Sequence, residues 1–196
     1  MQIKVPPSTL RDLLETRERW LTGFLTAGIL DAAGAREGTT EGAILAVARC
    51  GESPVARALI ALRPTLAAAG FKVRVVFSED DAQVDQFIAG GHDGCAMPDV
   101  RIVRNPRLRD AHEQIIVCGS AVWFGDSLRR DINRRDLFEQ YLGAAPEAAL
   151  AAARAFEKLW ARTEPYLTLA VLASDSLAAL PGRAPDNAGP ADPALR

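Results

Sequence analysis

Histidine 112 heads an apolar run, His112-Glu-Gln-Ile-Ile-Val117. Imidazole is the side chain best suited to attack phosphorus or to carry a proton near neutral pH. A second apolar run, Ala121 to Phe124, closes in Gly125-Asp126, and Ser127-Leu128-Arg129-Arg130 follows at once. Between Arg101 and Arg135 there are eight arginines (101, 104, 107, 109, 129, 130, 134 and 135) against four acids (Asp110, Glu113, Asp126 and Asp131). Guanidinium groups bind phosphate oxygens through paired N–H donors, so an imidazole with arginines beside it suits a phosphate-bearing ligand. A plainer reading stands next to this one. A histidine beside a glutamate is often a surface or capping residue. Arg130 and Arg134, set among Asp126, Asp131 and Asp136, have the spacing of a solvated helix face laced with ion pairs.

Other chemistry is less well served. His92-Asp-Gly-Cys95 has a two-residue gap that suits a metal pair, with Cys50, His112 and Cys118 to complete a set. Structural zinc sites use paired Cys or His knuckles, and neither pair occurs here, so no metal and no cofactor is expected. Cys50 and Cys118 read as small buried hydrophobes. Ser53 could offer a helix N-terminus to an anion, but Gly-x-Ser-Pro is too short for a phosphate-binding fingerprint. Glu79-Asp80-Asp81 reads as helix-capping acid rather than as a divalent-ion site.

The elements that must position these groups alternate. Ser8 caps a predicted helix over 8–33, with Leu10, Leu13, Leu14, Trp20, Leu21, Phe24 and Leu25 at helical spacing. Residues 43–48 form an unbroken apolar run, the mark of a strand buried on both faces. A helix follows from Ser53-Pro54 to about Ala69, with Pro64 as an irritant and Gly70 as its stop. Strand 72–77, a helix from Asp80-Asp81 to Gly90-Gly91, and strand 100–103 come next. Residues 113–117 and 121–124 make a tight hairpin. Helices are expected over 127–142, 146–162 and 166–173, and a disordered tail over 176–196. The helices at 8–33 and 146–162 can cover the sheet or build a dimer interface. The predicted fold is a single α/β domain over 1–175, with a mixed, mostly parallel sheet of about five strands and flanking helices.

The chain as a whole narrows the field. With 196 residues it can bury one good core, and its 48% apolar and 24% charged residues are those of an ordinary globular protein. A net charge of -2 gives no overall pull toward nucleic acid or membrane. Of 23 basic residues only Lys4, Lys72 and Lys158 are lysine. Three widely spaced cysteines suggest no disulfide framework. No basic-then-apolar leader opens the sequence, and no apolar run approaches the roughly 18 residues that span a bilayer, so membrane insertion is not expected and the chain reads as cytoplasmic.

The order of elements over residues 43 to 140, with Ala-His112-Glu-Gln-Ile-Ile-Val and a following strand that ends in Gly125, resembles one half of the phospholipase D-like superfamily. In that family a His-x-Lys pair opens a strand, an aspartate follows, and Gly-Ser and Asn lie at the end of the next strand. His112 matches the histidine and Gly125 the glycine. Gln114 stands where the lysine belongs, Gly119 near the aspartate, Asp126 at the serine, and Leu128 or Arg129 near the asparagine. The resemblance implies that His112 would attack a phosphodiester, with a homodimer needed to bring a second histidine as acid. Replacing the lysine ammonium by a neutral Gln114 removes a charge-assisted hydrogen bond worth about 1.5–3 kcal/mol. That is about ten- to a hundredfold in rate. The motif is therefore degenerate. The expectation is a non-catalytic or weakly active binding or regulatory module for a phosphate-bearing ligand, with Ser127, Arg129 and Arg130 supplying the contacts. A dimeric phosphodiesterase using His112, and a nucleic-acid-binding module using the arginine cluster, are the alternatives.

Overall fold

The computed structural model describes residues 10–34, 42–89, 97–109, 112–117, 119–125 and 139–166. The described residues belong to one compact unit. The expected cap at Ser8, the residues His92, Cys95 and Cys118, the segment 126–138 with Ser127, Arg129 and Arg130, the expected helix over 167–173 and the expected loose tail over 176–196 all lie outside the described residues.

Helix α1 (Leu10–Gly34) presents Leu21, Leu25, Gly28, Ile29 and Ala32 as one stripe, spaced by three and four residues. Each buried Leu or Ile on such a stripe contributes about 1.5–3 kcal/mol. A Cβ on Gly28 would lie 2.8 Å from Val117 Cγ2, so a glycine is what lets the helix backbone close on the sheet here. Strand β1 (Gly42–Ala48) is buried along almost its whole length, as its unbroken apolar run requires. Helix α2 (Pro54–Ala68) starts where the Ser53 hydroxyl accepts a hydrogen bond from the Ala56 N–H at 3.2 Å, with Pro54 in the first turn. It ends just before Gly70, whose φ of +67° is cheap only for glycine. Strand β2 (Phe71–Phe77), helix α3 (Ala82–Ala89) and strand β3 (Asp99–Ile102) continue the alternation. A short 3-10 turn at Pro106–Leu108 leads to the hairpin of β4 (Glu113–Val117) and β5 (Ala121–Gly125). Then come β6 (Glu139–Leu142), α4 (Pro146–Trp160) and the two-residue β7 (Glu164–Pro165).

These strands make one sheet in the order β6-β5-β4-β1-β2-β3-β7. The α/β class with a mixed sheet matches the sequence reading, whereas two of its details do not. The sheet has seven strands rather than about five, and four of its six neighbouring pairs are antiparallel rather than most being parallel. β1, β2 and β3 are the only neighbours in the sheet that pair in parallel, and the connections between them run through α2 and α3. The Gly119-Ser120 connection, with Gly119 at φ +83°, is too short for anything but an antiparallel hairpin. The two extra strands were hidden in segments read as helix and as loop. Residues 139–142 belong to β6 rather than to a helix, and Tyr141 pairs with Trp123 across the strands at 6.2 Å between ring centres. Glu164–Pro165 closes the far edge against β3, and Tyr166, expected to open a helix, donates its N–H to the Val100 carbonyl at 3.0 Å.

Helices α1, α2 and α3 share one face of the sheet, over Ile44, Ala46, Ala48, Val75, Ile115 and Val117. Helix α4 covers the other, over Leu45, Val47, Val76, Ile116 and Val122. It is fastened by Trp160, whose ring lies 4.1 Å from the Arg74 guanidinium and 4.6 Å from that of Arg101. Arg74 also pairs with Glu157 at 3.2 Å through Nη2, and Arg101 donates to the Trp160 and Thr163 carbonyls at 2.8 and 3.1 Å. Trp160→Ala removes this buried slab. Urea unfolding should show a loss of about 3–5 kcal/mol, the usual cost of truncating a buried aromatic. An unchanged midpoint would mean that α4 is not docked as described.

Candidate functional site

Strand register puts the candidate residues on one rim. Gln114 pairs with Val47 of β1 and with Phe124 of β5, so continuing the register brings His112 level with Arg49, just past the end of β1. Ala48 pairs with Phe77 and Phe77 with Ile102, so the chain leaves β2 at Ser78 and β3 at Val103 on the same side. Gly125 pairs with Glu113 on one side and Glu139 on the other. His112, Glu113, Arg49, Glu79, Asp81, Arg104, Gly125 and Glu139 therefore gather at the carboxyl ends of the parallel strands. That is where open α/β sheets hold their ligands.

His112 is exposed on this rim. Its neighbour Glu113 is only 5% exposed. The Glu113 carboxylate accepts the Arg49 N–H at 3.0 Å and so ties the exit of β1 to the entry of β4. A buried carboxylate needs such donors to offset its lost hydration. The remaining acids of the rim are engaged as well. Glu79 accepts from Arg49 Nε at 2.8 Å, and Asp80 from Arg104 Nη1 at 2.7 Å. Asp81 takes the N–H groups of Val84 at 3.1 Å and of Gly51 at 3.4 Å, which caps α3 and holds the turn after β1. A Cβ on Gly51 would sit 2.3 Å from the Gln83 carbonyl carbon, so this turn packs directly on the α3 backbone. Burial pushes the Cys50 thiol up, against a hydrogen bond from the Glu52 backbone that lowers it, and Asp81, Glu113 and Glu79 push it further up. A thiol held protonated is a poor nucleophile.

The candidates from the sequence meet different fates. Gln114 is half-buried inside β4, its alternation turning it to the α4 side. Gly119, near the expected aspartate position, lies in the hairpin at the far end of β4. The five residues of β4, about 17 Å of extended strand, lie between it and His112. Ser53 is fully buried and its hydroxyl caps α2, so the anion-site reading of that turn gives way to a capping role. Asp81, not Asp80, is the capping acid. Among the described residues no group of three or more His, Cys, Asp or Glu is placed to hold a metal ion. No helix among them is long and apolar enough to cross a membrane.

Two residues escaped the sequence reading. Glu113 had a signal: Ile115 and Val117 share its parity along β4, so alternation points it at the core. Glu139 had none, since its main partner, Arg17, is 122 residues away. The Glu139 carboxylate accepts from Arg17 Nε at 3.2 Å, from Trp123 Nε1 at 3.2 Å and from the Tyr141 hydroxyl at 3.0 Å. Gly125 separates Glu113 from Glu139 in the sheet. A Cβ there would meet the Trp123 ring at 2.2 Å, so the indole occupies the space that a side chain at 125 would take. This glycine is explained by the ring folded over it.

Burial, with Glu139 adding charge and a hydrogen bond, pushes the Tyr141 hydroxyl far above its usual range. Burial and Asp85, which accepts from Tyr166 at 3.0 Å, push Tyr166 up to about 12. These are the chain's two tyrosines. A raised tyrosine favours the folded state fully below its ordinary pKa near 10, and that stability is lost as pH climbs through the folded value. Ultraviolet titration of the folded protein should therefore show no tyrosinate step near pH 10. Absorbance should rise only toward pH 12, together with unfolding. A full two-tyrosine step near 10 with native circular dichroism would contradict both hydrogen bonds.

No known family and no curated protein matches the sequence. Among solved structures, the chain is similar to NucT from Helicobacter pylori, at 14% identity and a TM-score of 0.48, over 78% of this chain and 95% of that one. It is also similar to a phospholipase D family member, Nuc from Salmonella typhimurium, at 16% identity and a TM-score of 0.46, over 71% of this chain and 89% of that one. Neither likeness assigns a role to any residue of this rim.

Proposed function

We propose that this chain binds a phosphate-bearing ligand at the rim headed by His112, as a binding or regulatory module and not as an efficient phosphodiesterase. The observation that carries the reading is the exposed imidazole of His112 at the carboxyl ends of the parallel strands, one residue from a carboxylate committed to the backbone. An imidazole fixed at that position can donate a hydrogen bond to a phosphate oxygen.

The charges argue against turnover. Phosphoryl transfer needs cations aimed at the oxygens where charge develops. Gln114, the residue two positions along, is neutral and half-buried. Arg49 and Arg104 are already paired with Glu79 and Asp80. Arg107 is exposed on the 3-10 turn between β3 and β4, and β5 ends on this rim at Gly125, four residues before Arg129. Arg129, Arg130 and Ser127 are the contacts proposed to supply affinity.

Calorimetry with inorganic phosphate and with a nucleoside monophosphate tests this directly. His112→Ala and an Arg129→Ala/Arg130→Ala double variant should each weaken binding about ten- to a hundredfold, the worth of one lost charge-assisted hydrogen bond. A chromogenic phosphodiester should be left uncleaved by the parent chain. Turnover that disappears in His112→Ala would favour a dimeric phosphodiesterase with His112 as nucleophile. Binding only to polynucleotides, falling steeply with salt, would favour nucleic-acid recognition through the arginines. Unaltered phosphate binding in every variant would remove His112 from the site.

A further inference from the structure

Away from His112, α1 and β6 enclose an open depression of about 580 Å³, lined by Arg19, Trp20, Gly23 and Phe24 of the helix and Tyr141 of the strand. That volume lies within the roughly 300–1,000 Å³ of small-molecule sites. The four helix residues are neighbours at spacings of three and four, so they form one continuous patch beside the stripe that α1 buries. Trp20 is 66% exposed and Tyr141 39% exposed, while Phe24 meets the Tyr141 ring edge-on with centroids 5.7 Å apart. Aromatic side chains from two elements thus line a hollow that their own packing leaves unfilled.

Gly23 is the second observation. Glycine inside a helix is unfavourable and needs a reason. At Gly28 the reason is contact with Val117, yet among the described residues a Cβ on Gly23 would meet nothing within 4 Å. The missing side chain leaves space in the depression and serves no contact with a described residue. Charge is the third. Glu139, the carboxylate closest in sequence to Tyr141, is already committed to Arg17, Trp123 and Tyr141. Arg19, on the lip, makes no hydrogen bond or ion pair among the described residues.

We propose that this depression is a binding site for a small amphipathic anion, with a flat aryl or short acyl body against Trp20, Phe24 and Tyr141 and a carboxylate, sulfonate or phosphate facing Arg19. A flat apolar body gains from aromatic faces held in place beforehand, and the guanidinium sets the sign of the head group. The site uses no residue of the His112 rim, so the two stand or fall separately.

Anilinonaphthalene sulfonate, an aryl anion, is the probe. Titrated into the full chain, it should bind with one-to-one stoichiometry and a rise in its fluorescence. An aryl cation of similar size should bind at least tenfold more weakly. Gly23→Leu fills the hollow and should cut binding of the sulfonate at least tenfold, while the thermal midpoint stays level or rises because leucine is the better helix former. Arg19→Glu should cost about tenfold for the sulfonate and reverse the preference between anion and cation. Sulfonate binding that is multi-site and indifferent to Gly23→Leu overturns the proposal. So does a dimer in solution that Gly23→Leu dissociates, because a second copy would then be the occupant. His112→Ala should leave sulfonate binding untouched.

Discussion

Strand β1 has neither an exposed face nor a free edge, and the rest of the molecule is arranged by that constraint. Its backbone is paired with β2 on one side and β4 on the other, while its side chains enter two separate cores. Ile44, Ala46 and Ala48 meet the helices on one face, and Leu45 and Val47 lie on the α4 side. A one-residue slip of β1 would exchange these sets and move both neighbours with it. Because β4 is locked to β1 in antiparallel register, His112 is delivered to the end of the sheet where β1, β2 and β3 finish. The Glu113 bond to the Arg49 N–H then fastens the join at the rim itself.

The rim carries more acid than base, with Glu79, Asp80, Asp81, Glu113 and Glu139 against Arg49 and Arg104, and both arginines are spent on ion pairs. Arg49 with Glu79 and Arg104 with Asp80 tie the ends of neighbouring strands together. Exposed pairs of this kind contribute little to stability, about 0–1 kcal/mol each. Their larger effect is that neither guanidinium is left uncompensated on the rim. An arriving phosphate dianion would meet little uncompensated positive charge from these groups. That is consistent with recognition through a few directed hydrogen bonds and not with the strong local field that fast phosphoryl transfer requires.

Legibility in the sequence followed the range of the forces involved. β1 was readable because six apolar residues in a row have few other structural meanings, and α2 because Ser53, Pro54 and Gly70 punctuate it locally. The hairpin was readable from Gly119-Ser120. The direction of most strand pairs was not, since it depends on which connections carry helices and on where β4 docks against β1. β6 was misread because Tyr141 and Leu142 fit a helix period as well as a strand, and its pairing with β5 decides between them. For the site, the position of His112 at a strand entry could be read from its neighbours. The company it keeps could not. Arg49, Glu79 and Glu113 converge from three strands through contacts spanning 30 and 64 residues.

The far edge of the sheet carries a different lesson. β7 is two residues long and its second residue is Pro165, which pairs with Arg101 on its inner side. Proline has no N–H to offer a newcomer, and a two-residue strand presents almost no template for one. The β3 side of the sheet is thus sealed against addition of a strand from another molecule. Through it, crowded copies of this protein would be poorly able to zip into fibres.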